Sequence, residues 1–253
     1  MMKKDDKKVS IYRRILKYPP FAVSKKSGAM LITHHTKNGK IVARAAEYIT
    51  TEDGEKLFCI MYIAQKNNTV KTISVSDEDF GNIIRIDVLI KDIKKIVNSH
   101  DERSILNSIS RLLSLDITYF ETSKNKIISE TGIHPLLKYS FQAQTGVLTL
   151  FFDKNFYNAC NDKELQIDIS KYSKLNATGK NIYSFIASNS GNLFNENLLL
   201  ERAVINTQYK FKAQQMLKKS LNELKKEFII KDFQIIKKDG ERQVIIDKYA
   251  KIK

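Results

Sequence analysis

A chain of 253 residues with 42% hydrophobic content holds enough apolar material for one large core or two ordinary ones, which excludes a disordered protein. Its net charge of +15 and pI near 9.6 call for a polyanionic partner, nucleic acid ahead of an anionic membrane surface. No apolar run approaches the roughly 20 residues of a membrane span and no signal peptide is evident, so a cytoplasmic protein without membrane contact is expected. The charge is uneven: +9 over residues 1–49, −1 over 50–100, −2 over 101–169 and +9 over 170–253.

In chain order, residues 1–10 read as a flexible basic tail, and Pro19-Pro20 stops any helix before Phe21. Met30-Leu31-Ile32 and Ile41-Val42-Ala43 flank an Asn38-Gly39 hairpin signal. Thr50 or Thr51 caps a helix to about Gln65, with Leu57, Phe58, Met61 and Tyr62 inward. A strand over Thr69–Val75 follows, then a short turn or helix capped by Ser76–Asp79 and a further helix over about Asp87–Val97. Ser99-His-Asp-Glu102 has capping-box spacing and opens a helix to about Ser114, apolar at Ile105, Ile109, Leu112 and Leu113. A strand from Leu115 to Glu121, a turn and Ile127-Ile128 repeat the order helix, strand, basic turn, strand. Leu136–Ala143 and Val147–Phe152 pair around Thr145-Gly146, Phe152–Ala159 is a short helix, and Asn161-Asp162-Lys163 is a linker.

The second unit opens with a helix over Ser173–Ser188, followed by another over Glu196–Ile205. The next helix, 208–227, capped by Asn206 or Thr207, has Leu217, Leu221, Leu224 and Phe228 at helical spacing and is expected to bury that stripe. Its other face carries Lys210, Lys212, Gln214, Gln215, Lys218, Lys219, Asn222, Lys225 and Lys226, with Glu223 and Glu227 as the acids. Lysines meet phosphates, while Gln and Asn can read base edges. Strand-like Ile229 to Ile236 and Val244 to Ile246 then flank Lys238-Asp239-Gly240-Glu241, a hairpin signal because a type I′ turn needs positive φ at both central residues. Helix, strand, basic turn, strand is the second half of a winged helix. The expected fold is α+β with two tandem winged-helix domains: 1–49 as basic tail and hairpin, 50–160 as the first domain and 161–253 as the second.

Signatures of catalysis are missing from the sequence. Only His34 and His35 are neighbours among four histidines, and adjacent strand residues point to opposite faces. Ala177-Thr178-Gly179-Lys180 lacks the first glycine and the hydroxyl residue of a phosphate loop. No Gly-x-Ser-x-Gly elbow or zinc-spaced cysteine set occurs, and Cys59 and Cys160 suit small core residues in a reducing compartment. No cofactor, metal or enzymatic activity is expected.

The run Gly146-Val-Leu-Thr-Leu-Phe-Phe152, with Tyr172, Leu175 and Gly179-Lys-Asn-Ile-Tyr-Ser-Phe-Ile186, resembles the join between the winged-helix domains of plasmid replication initiators of the iteron-binding Rep class. Tyr183 stands at the family's tyrosine position, and Asn181 where the family often has arginine. The resemblance implies a binder of repeated origin sites that helps open DNA and recruits the host initiator and helicase. It also implies that the second domain makes the main base contacts and the first supplies further contacts and a homodimer surface. The DNA contacts expected are Lys210, Lys212, Gln214, Gln215, Lys218, Lys219, Asn222 and Lys225 on the helix, with Lys237, Lys238 and Arg242 on the wing. A winged-helix transcriptional regulator uses the same chemistry. A protein-interaction or anionic-surface module is the rival from another class.

Overall fold

The computed structural model describes residues 8–11, 13–23, 28–67, 70–74, 82–98, 101–123, 126–160, 166–205, 209–238 and 240–249. The chain begins with strand β1 (Lys8–Ser10) and helix α1 (Arg13–Lys17). Strands β2 (Met30–Thr36) and β3 (Gly39–Ala45) form the Asn-Gly hairpin, with Thr36 opposite Gly39. Glycine is required there because a Cβ would stand 2.0 Å from the carbonyl oxygen of Phe120 on the neighbouring strand. Along β2, Met30, Ile32 and His34 are buried while Leu31, Thr33 and His35 face solvent, the alternation a strand imposes. Helix α2 (Thr51–Asn67) buries almost its whole length, Leu57, Phe58, Met61 and Tyr62 included.

Strands β4 (Val70–Ser74) and β5 (Asn82–Leu89) precede helices α3 (Ile90–Val97) and α4 (Glu102–Leu113). The helix expected from Asp87 therefore begins three residues later. Ile84, Ile86 and Val88 are buried in alternation, and this β-branched period-two run holds residues 82–89 extended against β4. Asp101 caps α4 by accepting from the Arg103 amide. Ser99, His100, the Ser76–Asp79 turn, the Asn161–Lys163 linker and the Asn206-Thr207 cap lie outside the described residues.

Next come β6 (Asp116–Ser123), β7 (Lys126–Ile133), β8 (Leu136–Gln142), β9 (Val147–Asp153) and α5 (Lys154–Cys160). The sequence pattern paired α4 with β6 and β7 as helix and wing. The sheets distribute these strands otherwise: one runs β2-β3-β6-β7 and the other β4-β5-β9-β8. The β6–β7 hairpin is thus an insertion that completes the N-terminal hairpin's sheet, and the later strands that join β4 and β5 are β8 and β9. Cys59 and Cys160 are both buried and not disulfide-bonded.

After β10 (Gln166–Asp168) and the turn of helix α6 (Ile169–Tyr172) come α7 (Ala177–Ala187), β11 (Leu193–Asn195), α8 (Glu196–Arg202), α9 (Lys210–Lys226), β12 (Ile230–Lys238) and β13 (Glu241–Lys248). Helix α7 starts at Ala177 rather than Ser173, because Asn176 turns its side chain back to accept the Gly179 amide at 2.7 Å. The sheet order is β11-β13-β12. Two units of one topology result: helix, strand, helix, helix, strand, strand, with the last strand between the other two. The first unit uses α2, β5, α3, α4, β8 and β9; the second uses α7, β11, α8, α9, β12 and β13.

Packing crosses the sequence-based boundaries at 49/50 and 160/161. Residues 8–10 are no free tail: β1 pairs with β10, and Val9 is fully buried. Apolar Val9 and Ile11 within the lysine-rich segment supply the reason. One hydrophobic cluster extends from Val9 to Tyr172 and the other begins at Leu175. At the seam, Lys180 of α7 pairs with Glu55 of α2 at 2.5 Å, and Asn181 donates to the carbonyls of Phe21 and Ala203.

Candidate nucleic-acid interface

Helix α9 buries Ala213, Leu217, Ser220, Leu221 and Leu224, so one stripe anchors it against the rest of the second unit. Phe228 does not continue that stripe. The helix ends at Lys226, the Ile229 amide bonds back to the Leu224 carbonyl, and Phe228 takes φ +54°, leaving its ring 69% exposed. The two acids are engaged towards α7: Glu223 accepts from the Asn176 amide and Glu227 pairs with Lys174 at 3.1 Å. The lysines of the outer face thereby lose much of their internal neutralisation.

Between α9 and the β12–β13 hairpin runs a groove of about 720 Å³. Of the expected contact residues it brings together Gln214, Gln215, Lys218, Lys219, Asn222 and Arg242, joined by Phe211, Glu223, Lys226 and Ile235. A neighbouring hollow of about 440 Å³ gathers Lys210, Lys237 and Arg242 beside Glu196. Lys212 and Lys238 are exposed but line neither space. Lys225 turns aside to Asp232 at 2.9 Å, and this hydrogen bond holds the Asp232 carboxyl below the usual range.

Gln214 and Arg242 are not free side chains. Gln214 donates to Glu196 at 2.7 Å, and Arg242 donates Nε–H to both Glu196 oxygens at 2.9 and 3.0 Å. Gln215 is exposed without such a tether, so it reaches outward more readily than its neighbour. Sequence reasoning missed Phe211, 72% exposed on the groove. Its position three residues before Gln214 on the same helix face was the available signal.

Of the two residues named by the family resemblance, Asn181 is fully buried and Tyr183 is partly buried. The Tyr183 hydroxyl accepts from the Asp168 amide at 3.0 Å, and burial pushes its phenol up to about 12. Both residues fasten α7 at the seam rather than facing the groove. His34 and His35 diverge as expected; buried His34 contacts the Pro19 carbonyl through Nε2 at 2.9 Å. Among the described residues no cluster of His, Cys, Asp or Glu could hold a metal, and no helix is long and apolar enough to cross a membrane.

The elements define a mixed α+β chain built from two units of the same topology, with a basic groove on the second. That architecture is shared with domains 2 and 3 of RctB. One crystal structure of those domains superposes with a TM-score of 0.64 at 13% identity, covering 94% of this chain and 98% of that one. A second RctB structure of the same domains gives 0.55 at 13%, covering 93% and 96%. At this identity the likeness is one of fold. No protein-family model matches the sequence, and no curated protein is significantly similar to it.

Proposed function

We propose that the protein is a non-enzymatic, sequence-specific DNA-binding replication initiator with two winged-helix units, the second of which grips the duplex. The supporting observation is the groove between α9 and the β12–β13 hairpin, where Lys218, Lys219 and Lys226 stand beside Gln215 and Asn222. Lysines at a rim with amide side chains between them suit a helix in the major groove: the cations neutralise phosphates and the amides meet base edges. The hairpin then stands beside the helix as the wing, Lys237 and Lys238 meeting the backbone while Arg242 lines the groove with α9. RctB, whose domains share the fold, is a replication initiator of Vibrio chromosome II, which favours initiation over transcriptional control. Repeated origin sites, a host initiator and helicase as partners, and a homodimer belong to this reading.

Selecting bound duplexes from a random pool and then footprinting the enriched site tests it. An initiator of this kind enriches a short motif and protects tandem copies in register. A single palindrome would favour a transcriptional regulator. No enrichment at all, with binding to acidic peptides or anionic lipid instead, would overturn the reading.

A further inference from the structure

Glu196 opens α8 and is only 1% exposed, yet it is a carboxylate beside a groove lined by lysines. A buried charge is tolerated only when its partners satisfy it, and here the partners are two groove residues. Gln214 reaches it from α9 and Arg242 from β13. The carboxylate has no proton to donate, so Gln214 must turn its nitrogen towards Glu196. That leaves Gln214 Oε1 as the acceptor available to the groove. Arg242 spends Nε–H on Glu196, and no hydrogen bond engages its Nη1 or Nη2 among the described residues. Helix and hairpin are thereby joined through one residue, with an acceptor and a pair of donors held side by side.

We propose that Glu196 is a positioning residue that sets the base-reading code of the groove. It fixes Gln214 as an acceptor for the exocyclic amino group of adenine or cytosine, and it aims the terminal nitrogens of Arg242 at the O6 and N7 acceptors of a guanine. Preorganisation of this kind removes the ordering cost from the moment of binding. The inference rests on the duplex-binding reading above. Electrostatics alone predicts the opposite sign for Glu196, since an acid beside the groove repels phosphate and its neutralisation should strengthen binding to every duplex.

The test uses the full chain, the duplex enriched by selection and a scrambled duplex. Glu196→Gln keeps the shape and removes the charge. Its preference for the selected duplex should fall about tenfold, while binding to the scrambled one stays equal or tightens. A second series replaces single adenines or cytosines of the site with analogues lacking the exocyclic amino group. Wild-type protein should lose about tenfold at one position, and Gln214→Ala, which leaves Glu196 paired with Arg242, should be indifferent there. An unchanged preference in a folded Glu196→Gln variant overturns the proposal, as does an analogue series in which wild type and Gln214→Ala respond alike. If Glu196→Gln fails to fold, the analogue series decides. A wild type with no preference among duplexes removes the DNA-reading function itself, and the positioning role with it.

Discussion

Helices α4 and α9 occupy the same place in two units of one topology, and they treat their charges in opposite ways. On α4, Arg111 turns inward and donates to Asp53 of α2 at 2.6 and 3.2 Å, with the acid wholly buried. The exposed positions that remain are Arg103, Asn107 and Ser110. On α9 Glu223 accepts from the Asn176 amide at the start of α7 and, just past the helix, Glu227 pairs with Lys174, while Lys218, Lys219 and Lys226 face a groove that Glu223 also lines. The scaffold fixes where such a helix stands, and the partners of its charged residues decide whether it presents a field. By that criterion the proposed grip falls to the second unit, and the first is a platform on which the N-terminal strands and β6–β7 are mounted.

The comparison breaks most visibly at Asp53. Burial raises its pKa, but hydrogen bonds from Arg111, Ser108 and Thr50 outweigh that cost and hold the carboxyl below its ordinary 3.8. Its contribution is therefore present above the unfolded carboxylate pKa and lost as pH falls through the lower folded value. Asp53→Ala strands the Arg111 guanidinium and should cost about 3–5 kcal/mol in urea unfolding. If Arg111 were merely a surface ion, the loss would be under about 1 kcal/mol.

In the second unit the corresponding anchor is apolar. Leu221 is fully buried on α9, and Leu221→Ala should destabilise by about 2–5 kcal/mol in the same assay. A cost below about 1 kcal/mol would mean that α9 is not seated on that stripe.

The seam between units carries a pH dependence. His34 is held to a pKa of about 4, chiefly by burial, with Arg202 and His35 adding to the effect and Pro19 and Glu201 opposing it. Between pH 6.5 and 4 the unfolded chain takes up a proton that the folded chain refuses, so stability falls with falling pH over that window. The total is about 3 kcal/mol. His34→Gln should flatten this part of the stability profile relative to wild type, and superimposable profiles would refute the assignment.

Local signals proved legible wherever one period dominated. The Asn38-Gly39 hairpin, α2, the β8–β9 pair and the α9 stripe from Leu217 to Leu224 all follow from spacing and turn residues. What sequence could not give was partner choice between strands. The β6–β7 segment pairs as read, but nothing in its alternation says that it joins β3, since that decision is made across about 75 residues of chain. Phe228 was misread for a similar reason: its helical spacing is sound, and only the left-handed turn after Lys226 sends the ring outward. In the site the types of residue were legible, while Glu196, an acid at the start of another helix, gave no sign of gathering Gln214 and Arg242.

Specificity is the finer test of the contrast between the two helices. Gln215 is exposed on α9 and lines the groove, with no tether to Glu196. Gln215→Ala should cost about 1–3 kcal/mol against the selected duplex and spare binding to scrambled DNA. Asn107→Ala, at an exposed position of α4, should change neither. Equal effects in both helices would mean that reading is shared between the units.

The smallest effect concerns the lysines, and it tests gripping apart from reading. Lys218 and Lys219 are exposed on the groove face, where a phosphate contact carries no sequence information. Each Lys→Ala change should leave urea unfolding within about 0.5 kcal/mol, because it touches no buried group. Binding should weaken alike for selected and scrambled duplexes. The diagnostic quantity is the salt dependence: each neutralised phosphate releases counterions, so log K falls with log[salt] by about 0.9 per contact. Removing both lysines should flatten the slope by nearly 2, whereas Arg103→Ala on α4 should leave it unchanged. A slope equally sensitive to Arg103 would place the first unit on the duplex too, and the division between platform and grip would have to be abandoned.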